Sequence, residues 1–458
     1  MINMTKVKKI AKYTGLGFLA LILIALLLNT VLSCVASKQL EKELSQIKES
    51  GGVLTLAELA PPPVPDEENA ALIYQKAFAL LSLDKLSSDE EKAWDKISNN
   101  IQEWTETDRI ILKGMLTRNE YVLSFLEEAA IFAKSRFPMD YSNPLNAIPQ
   151  DLMNIKRAAY LLAAKARFEL LEGKPDEALK TCFVGFRLAK ARISEPILVS
   201  QMVQVASTKV ILNTLEKVMD QNEGDIGMYT TLLKELNIQE YRDAFTRSME
   251  GERCLGIYAY DSVFNSVENL KQYDLVRRKI SFPTKVWYSF ALFISRPFRT
   301  KDEIYCLKLT KELIFLSKLL YYEAKPKFES IKNEIPAPSL SHLDVNWFCP
   351  SRSSLPVLVH GSSLDKQACY EAWVGAGRLA LSLRIYNLQK GLYPDSLSAL
   401  VPDIIPELSK DPFTGKDYIY KKEGDGFIVY SLGENLKDDG GVVEEDKDKG
   451  DIVWRCRQ

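Results

Sequence analysis

The feature that most constrains this chain is a run of 25 residues, Tyr13 to Ser37, without one charged side chain. Its centre, Leu16 to Leu28, is almost wholly Leu, Ile, Ala and Phe. At about 1.5 Å of rise per residue, a helix of that length crosses a hydrocarbon layer of about 30 Å. Before the run lie Lys6, Lys8, Lys9 and Lys12, with no Asp or Glu. Clustered positive charge marks the side that stays in the cytoplasm. The expected topology is therefore a cytoplasmic tip, 1–12, a transmembrane signal anchor, 13–37, and an extracytoplasmic body in a bacterial inner membrane.

That split also explains the charge balance. The chain has 59 basic and 61 acidic residues, a net charge of -2. Taking away the four tip lysines leaves 55 basic residues against the same 61 acids, so the exported body is acidic. It has no basic excess to hold a phosphate backbone, which excludes nucleic acid as a default partner. A second processing reading stays open. Thr30-Val31-Leu32-Ser33-Cys34 is compatible with a lipoprotein signal cut before Cys34, which would then carry the lipid. The apolar run is long for a cleaved signal, whose apolar part is usually about 7–15 residues. Val286 to Ile294 is also apolar, but Lys285 and Arg296 flank it, so it reads as a buried or surface-lying segment.

Beyond the anchor, 38–65 reads as a charged stalk ending in the stiff Pro61-Pro62-Pro63-Val64-Pro65. From 66 to 334 the pattern is helical. Asp66 is placed to cap a first helix whose stripe is Ala70, Ile73, Tyr74, Ala77 and Leu81. Ile155 to Leu171 carries Ala159, Leu162, Ala163, Ala166 and Leu170 at spacings of three and four. Glu172-Gly173-Lys174-Pro175 breaks it, and Asp176 opens a second helix. Pro283, Pro297 and the stretch around them are expected to interrupt the later helices. Residues 335–362 form a linker that holds both histidines, His342 and His360.

Residues 363–458 change character. Leu364 to Lys390 is a long helix, with Ala372, Ala376, Leu379, Leu383 and Tyr386 on one face, stopped by Gly391. Asp417 to Lys421 and Phe427 to Ser431 read as strands joined through Glu423-Gly424-Asp425-Gly426. Asp451-Ile452-Val453-Trp454 supplies a third strand after a loop in which Glu434 to Asp451 holds eight acids against three lysines.

Chemistry is not legible. There is no Gly-x-Ser-x-Gly elbow, no His-Glu-x-x-His and no phosphate-cradling Gly-Lys-Ser/Thr loop. Ser-x-x-Lys occurs at Ser45, Ser82 and Ser363, which chance explains. Seven scattered cysteines form no Cys-x-x-Cys. An exported body permits disulfides, and Cys349 and Cys369 flank one loop, whereas Cys182 and Cys306 read as buried thiols.

Two resemblances follow from these residues. The helix pair around Gly173 to Leu179 resembles one tetratricopeptide repeat, without a second copy. The C-terminal order is long helix, Gly-x-Tyr-Pro, Leu-x-x-Leu-Val-Pro, Asp-Pro-Phe-x-Gly, Tyr-x-Tyr, Tyr-Ser-x-Gly, Asp-Asp-Gly-Gly and Asp-Ile-Val. It resembles the globular part of the major pseudopilin of type II secretion systems. That resemblance implies one helix packed on a small antiparallel sheet, with calcium in the loop before the last strand. By position, Asp438, Asp439 and Asp451 would be its carboxylate ligands. Pseudopilins begin with a cleaved Gly and an apolar helix with Glu at its fifth position. The membrane segment here has no Glu, so the chain is not an ordinary pilin subunit. The whole chain also resembles a broad group of uncharacterised membrane-anchored proteins of planctomycete-like bacteria. It does so through Leu56-Ala57-Glu58-Leu59, Pro61 to Pro65, Asn69-Ala70-Ala71, the Gly173 turn and the C-terminal string. That group has no established activity.

The expected fold is thus mainly α: an N-terminal transmembrane helix, a multi-helix domain that is partly tetratricopeptide-like, and a small pseudopilin-like α+β domain. The expected function is non-enzymatic, through contacts with other envelope proteins at the membrane. The alternatives are a component of a secretion or pilus-like machine, and an exported hydrolase whose acids the sequence does not reveal.

Overall fold

The computed structural model describes residues 4–83, 87–98, 104–143, 149, 151–221, 224–263, 266–272, 281–334, 362–442 and 450–457. The chain is mainly helical, with one small antiparallel sheet near its C-terminus. It divides into two compact units. One comprises Met1–Glu58, Glu252–Leu313 and Ser330–His360; the other comprises Leu59–Gly251, Ile314–Glu329 and Gly361–Gln458. The expected linker falls almost entirely outside the described residues, and so do His342, Cys349 and His360.

The first unit is organised on α1 (Met4–Glu49), in which the apolar run and the charged stalk are one uninterrupted helix. Gly51 ends it in a left-handed conformation, φ +78°. Beside it stands α12 (Phe282–Leu316), which runs through Pro297 without a break. Pro297 therefore does not interrupt this helix as expected, whereas Pro283 stands in its first turn. Pro297 can supply no N–H to the carbonyl four residues back, and the Phe293 carbonyl accepts instead from the Asn29 side-chain amide at 3.1 Å. Further along, Ile47, Ile257 and Leu307 form a buried cluster with Leu40, Leu44 and Leu54 against it.

The second unit begins with α2 (Ala70–Leu80). Its cap is Asn69, not Asp66: the Asn69 carboxamide oxygen accepts from the backbone N–H of Ala71 at 3.1 Å. The same oxygen accepts from Arg136 N–H at 2.8 Å, so one side chain both starts the helix and pins a distant loop. Helices α3 (Ser88–Ser98), α4 (Glu106–Arg118) and α5 (Glu120–Ala130) follow. Then come α6 (Leu152–Leu171) and α7 (Pro175–Ala189), the pair read from the sequence. Gly173 takes φ +69° at the turn and Pro175 opens α7. Three residues between helices leave only an antiparallel hairpin, and α8 (Leu198–Asp220) packs on both. Next are α9 (Ile226–Glu235) and α10 (Ile238–Tyr258).

The α7–α8 connection is buried and held electrostatically. Arg192 is paired with Glu195 and, at 2.5 Å, with Asp151, and it lies 3.7 Å from the Phe137 ring centre. Glu195 also accepts from the Ser200 hydroxyl at 2.7 Å. α10 passes this connection at Gly251, where a Cβ would stand 1.7 Å from the Pro196 carbonyl oxygen.

The C-terminal elements also belong to the second unit. α14 (Ser362–Lys390), which follows α11 (Val267–Gln272) and α13 (Tyr321–Glu334) in the order of helices, packs on a three-stranded sheet. The strands are β1 (Ile419–Glu423), β2 (Gly426–Ser431) and β3 (Ile452–Cys456) in the order β1-β2-β3, all antiparallel. The hairpin register pairs Ile419 with Tyr430 and Glu423 with Gly426. Helix, hairpin and third strand are where the sequence pattern puts them. The segment from 363 onward is nevertheless not a separate compact body, because α14 also packs on α8 and α9, and β3 packs on α8.

Gly251→Ala tests the tight crossing. Overpacking against backbone that cannot swing away costs on the order of 1–3 kcal/mol, so the melting temperature of the detergent-solubilised chain should fall by several degrees.

Candidate functional site

The loop between β2 and β3 is built from the turn beneath it. Asp411 opens Asp-Pro-Phe-Thr-Gly and is only 2% exposed. One of its oxygens accepts from Phe413 N–H at 3.0 Å and Ser431 hydroxyl at 2.8 Å. The other accepts from Thr414 hydroxyl at 3.1 Å and Leu432 N–H at 3.3 Å. A buried carboxylate is tolerable when its lone pairs are filled in this way. It fastens the 411–416 turn to the end of β2. Gly433 then turns the chain at φ +62°, where a Cβ would meet the Gly450 carbonyl oxygen at 2.1 Å. The two ends of the loop are thus in backbone contact.

The expected calcium ligands sit on this neck. Asp438 accepts from the Tyr430 hydroxyl at 2.8 Å and Gly440 N–H at 2.9 Å. Those two bonds hold its carboxyl below the usual range. Asp439 accepts from the Asn435 amide at 2.9 Å. Asp451 is 3% exposed, and one of its oxygens accepts from Gly441 N–H at 2.8 Å. Burial raises the Asp451 pKa, and the charges of Asp439 and Asp438 raise it further. Calcium needs about six to eight oxygens around one point. Among the described residues no three acidic, histidine or cysteine side chains converge in that way. As placed, these carboxylates are hydrogen-bond acceptors that shape the loop, and residues 443–449 lie outside the described part.

The remaining site expectations are scattered. Cys34 is exposed on α1. Cys182 is buried, which pushes its thiol well above the ordinary range, and Cys306 is half-buried, its thiol raised to about 11 chiefly by burial. Trp373 is half-buried, with the Lys209 ammonium 3.6 Å from its ring centre.

Sequence reasoning missed a cleft of about 730 Å³ lined by Asn237, Gln239, Arg242, Glu371, Arg378 and Lys410. Arg242 grips Glu371 through two nitrogens, at 3.1 and 2.6 Å, and Gln367 donates to the same carboxylate at 3.0 Å. Arg378 donates to the Leu236 carbonyl at 2.6 Å, capping the open end of α9. Lys410 pairs with Asp417 at 2.5 Å. Arg242 and Glu371 are 129 residues apart, a separation that no local pattern signals. Arg242 and Glu371 are thus committed to each other, Arg378 to backbone and Lys410 to Asp417.

The acids that burial does perturb lie elsewhere. Glu195 and Glu216 are raised mainly by burial, as is Asp220. In the first unit Glu303 is pushed up to about 8 by burial and by the neighbouring Asp261 charge. None of them lines the cleft.

Comparison with known proteins adds no analogy: no family model, no curated protein and no solved structure matches this chain.

Two outcomes test the loop. Asp411→Asn turns an N–H₂ toward donors and leaves bonds unmade, so stability should fall by about 1–3 kcal/mol in urea titration. Asp451→Asn should behave oppositely. Because the folded pKa is raised, the folded state holds the proton more tightly than the unfolded chain. Wild-type stability therefore gains as pH falls from neutral through that raised value, and levels off below the unfolded one. The variant should be at least as stable at neutral pH and should lack that gain in melting curves taken across the pH range. A calcium shell predicts something else: added calcium would raise the wild-type melting temperature and Asp451→Asn would abolish the rise.

Proposed function

We propose that this is a single-pass, membrane-anchored protein of the bacterial envelope, with its N-terminus in the cytoplasm and its body in the periplasm, acting through contacts with other envelope proteins. The observation that carries it is the surface of α1. Leu16, Phe18, Leu19, Leu21, Leu23, Leu27 and Leu28 are all more than half exposed along one helix. Water does not support so large a contiguous apolar surface, whereas a bilayer requires it. Two features support a contact function: the α6–α7 antiparallel hairpin is compatible with one tetratricopeptide-like unit, and Arg242, Glu371 and Arg378 of the cleft are engaged in structural bonds.

A second reading, a component related to secretion or pilus-like machinery, draws on one feature. A long helix on a three-stranded antiparallel sheet, with an Asp-Pro-Phe-Thr-Gly turn before the hairpin, matches what the pseudopilin resemblance implies. The position of that module near the C-terminus, far from the apolar helix, separates it from a pilin subunit.

Protease added to spheroplasts should digest the body and leave a short protected N-terminal fragment; full protection would sink this topology. Mass spectrometry of the purified chain should find the N-terminus intact, while a lipid-modified N-terminal Cys34 would make it a lipoprotein. Cross-linking in intact cells should recover adducts with a second envelope protein, and one belonging to a secretion complex would favour the second reading.

A further inference from the structure

We infer that the first half of α12, residues 282–298, lies in the same bilayer as α1, so that the two helices form a lipid-facing pair and the protein contacts the membrane at two places in its sequence. The inference rests on α1 being the membrane anchor and adds to it.

The first ground is register. The Asn29 amide meets the Phe293 carbonyl, 264 residues on. Glu43 meets Lys308 at 3.4 Å, an offset larger by one. Leu307 packs with Ile47, Leu40 and Leu44 at the same level. Two contacts with nearly constant offset mean that the helices run side by side in the same direction. Residues 282–298 then stand level with residues 18–34, inside the uncharged run.

The second ground is that this stretch is inside out for a water-soluble protein. Phe282 is 79% exposed, and Val286, Trp287, Phe290 and Phe293 all lie between 42% and 52%. The buried positions, four residues apart, are Ala291, Ser295 and Arg299. α1 shows the same inversion: Asn29, Ser33 and Ala36 are buried while its Leu and Ile side chains face out. Small and polar residues between helices, with large apolar residues outside, is the packing rule for helices in lipid.

The third ground is Pro297. The carbonyl that it leaves without a partner is that of Phe293, and this is the one Asn29 satisfies. Arg299 donates to the adjacent Leu292 carbonyl at 2.8 Å. Surrounded by lipid, a freed carbonyl has no water to turn to, and a neighbouring helix must supply the donor. Charge agrees with this. From Phe282 to Lys301 there is no acid, and the exposed Arg296 and Lys301 stand level with the outer end of the uncharged run, where anionic headgroups attract them. Two charges lie at depth, Lys285 and Glu268, both about half exposed, and they neutralise each other in an ion pair at 2.5 Å.

The test is photolabelling of the full-length chain in phospholipid vesicles that contain a phospholipid with a diazirine on its acyl chain, followed by peptide mapping. Adducts are expected on peptides from 282–298 and from 13–37, and not on α4 or α5, although Tyr121 there is 76% exposed. Adducts on 13–37 with none on 282–298 would overturn this inference and leave the anchor standing. Adducts on neither would remove the anchor, and this inference with it.

Discussion

The second unit depends on one helix whose middle, Gln367 to Ile385, is almost wholly buried. Along α14, Leu364, Ala368, Ala372, Val374, Ala376, Leu379, Ala380, Leu381 and Leu383 are all buried, and these positions go round the helix instead of forming a stripe. A helix that is apolar all round must be covered on every side. One side takes Phe413 and Ile452 against Ala368, Cys369 and Ala372. Leu212 and Leu236 come against Gly377, where the Trp454 ring closes the third side. Each Leu-sized side chain so covered contributes about 1.5–3 kcal/mol relative to exposure. The helix therefore fuses the sheet to α8 and α9 more firmly than any linker separates them.

That burial dictates where the polar residues of the unit go. Gln367, Glu371, Arg378 and Arg384 lie on the same helix, and each needs a partner that is also buried or nearly so. Gln367 donates to Ser317 carbonyl at 3.3 Å, and Arg384 donates to the Tyr393 hydroxyl at 3.0 Å. At the far edge of the sheet, Arg455 N–H donates to Glu216 at 3.1 Å and Arg457 N–H to Asp220 at 3.1 Å. Acids at the end of α8 thus accept the backbone of β3. A charged group used in this way is a fastener, and Arg242, Glu371 and Arg378 play that part in the wall of the cleft.

The first unit solves the opposite problem. Its two long helices, α1 and α12, turn large apolar side chains outward and keep small and polar ones between them; in the bilayer proposed for them, their backbone would have to be satisfied with no help from water. The Asn29 amide does for Pro297 what a water molecule does in a soluble helix. The same residue types, Ala, Ser and Asn, that are surface-compatible elsewhere become the contact face here.

Much was legible from local pattern. The uncharged run of α1, the Gly173-x-Pro175 turn between α6 and α7, and the Gly424-containing hairpin all encode their geometry in neighbouring residues, because helix, turn and strand periods are short-range properties. The sequence by itself determined these elements, the long apolar N-terminal helix, and the small sheet near the C-terminus. It did not determine that Asp411 is buried under four donors, that Arg242 grips Glu371, or that Asn29 reaches a carbonyl freed by Pro297. Two of the donors to Asp411, Phe413 and Thr414, are local, but the other two and the remaining pairs join residues 20 to 264 positions apart. Tertiary structure alone decided them, because a buried polar group is satisfied by whatever folding brings beside it, and adjacency in the chain carries no record of that choice.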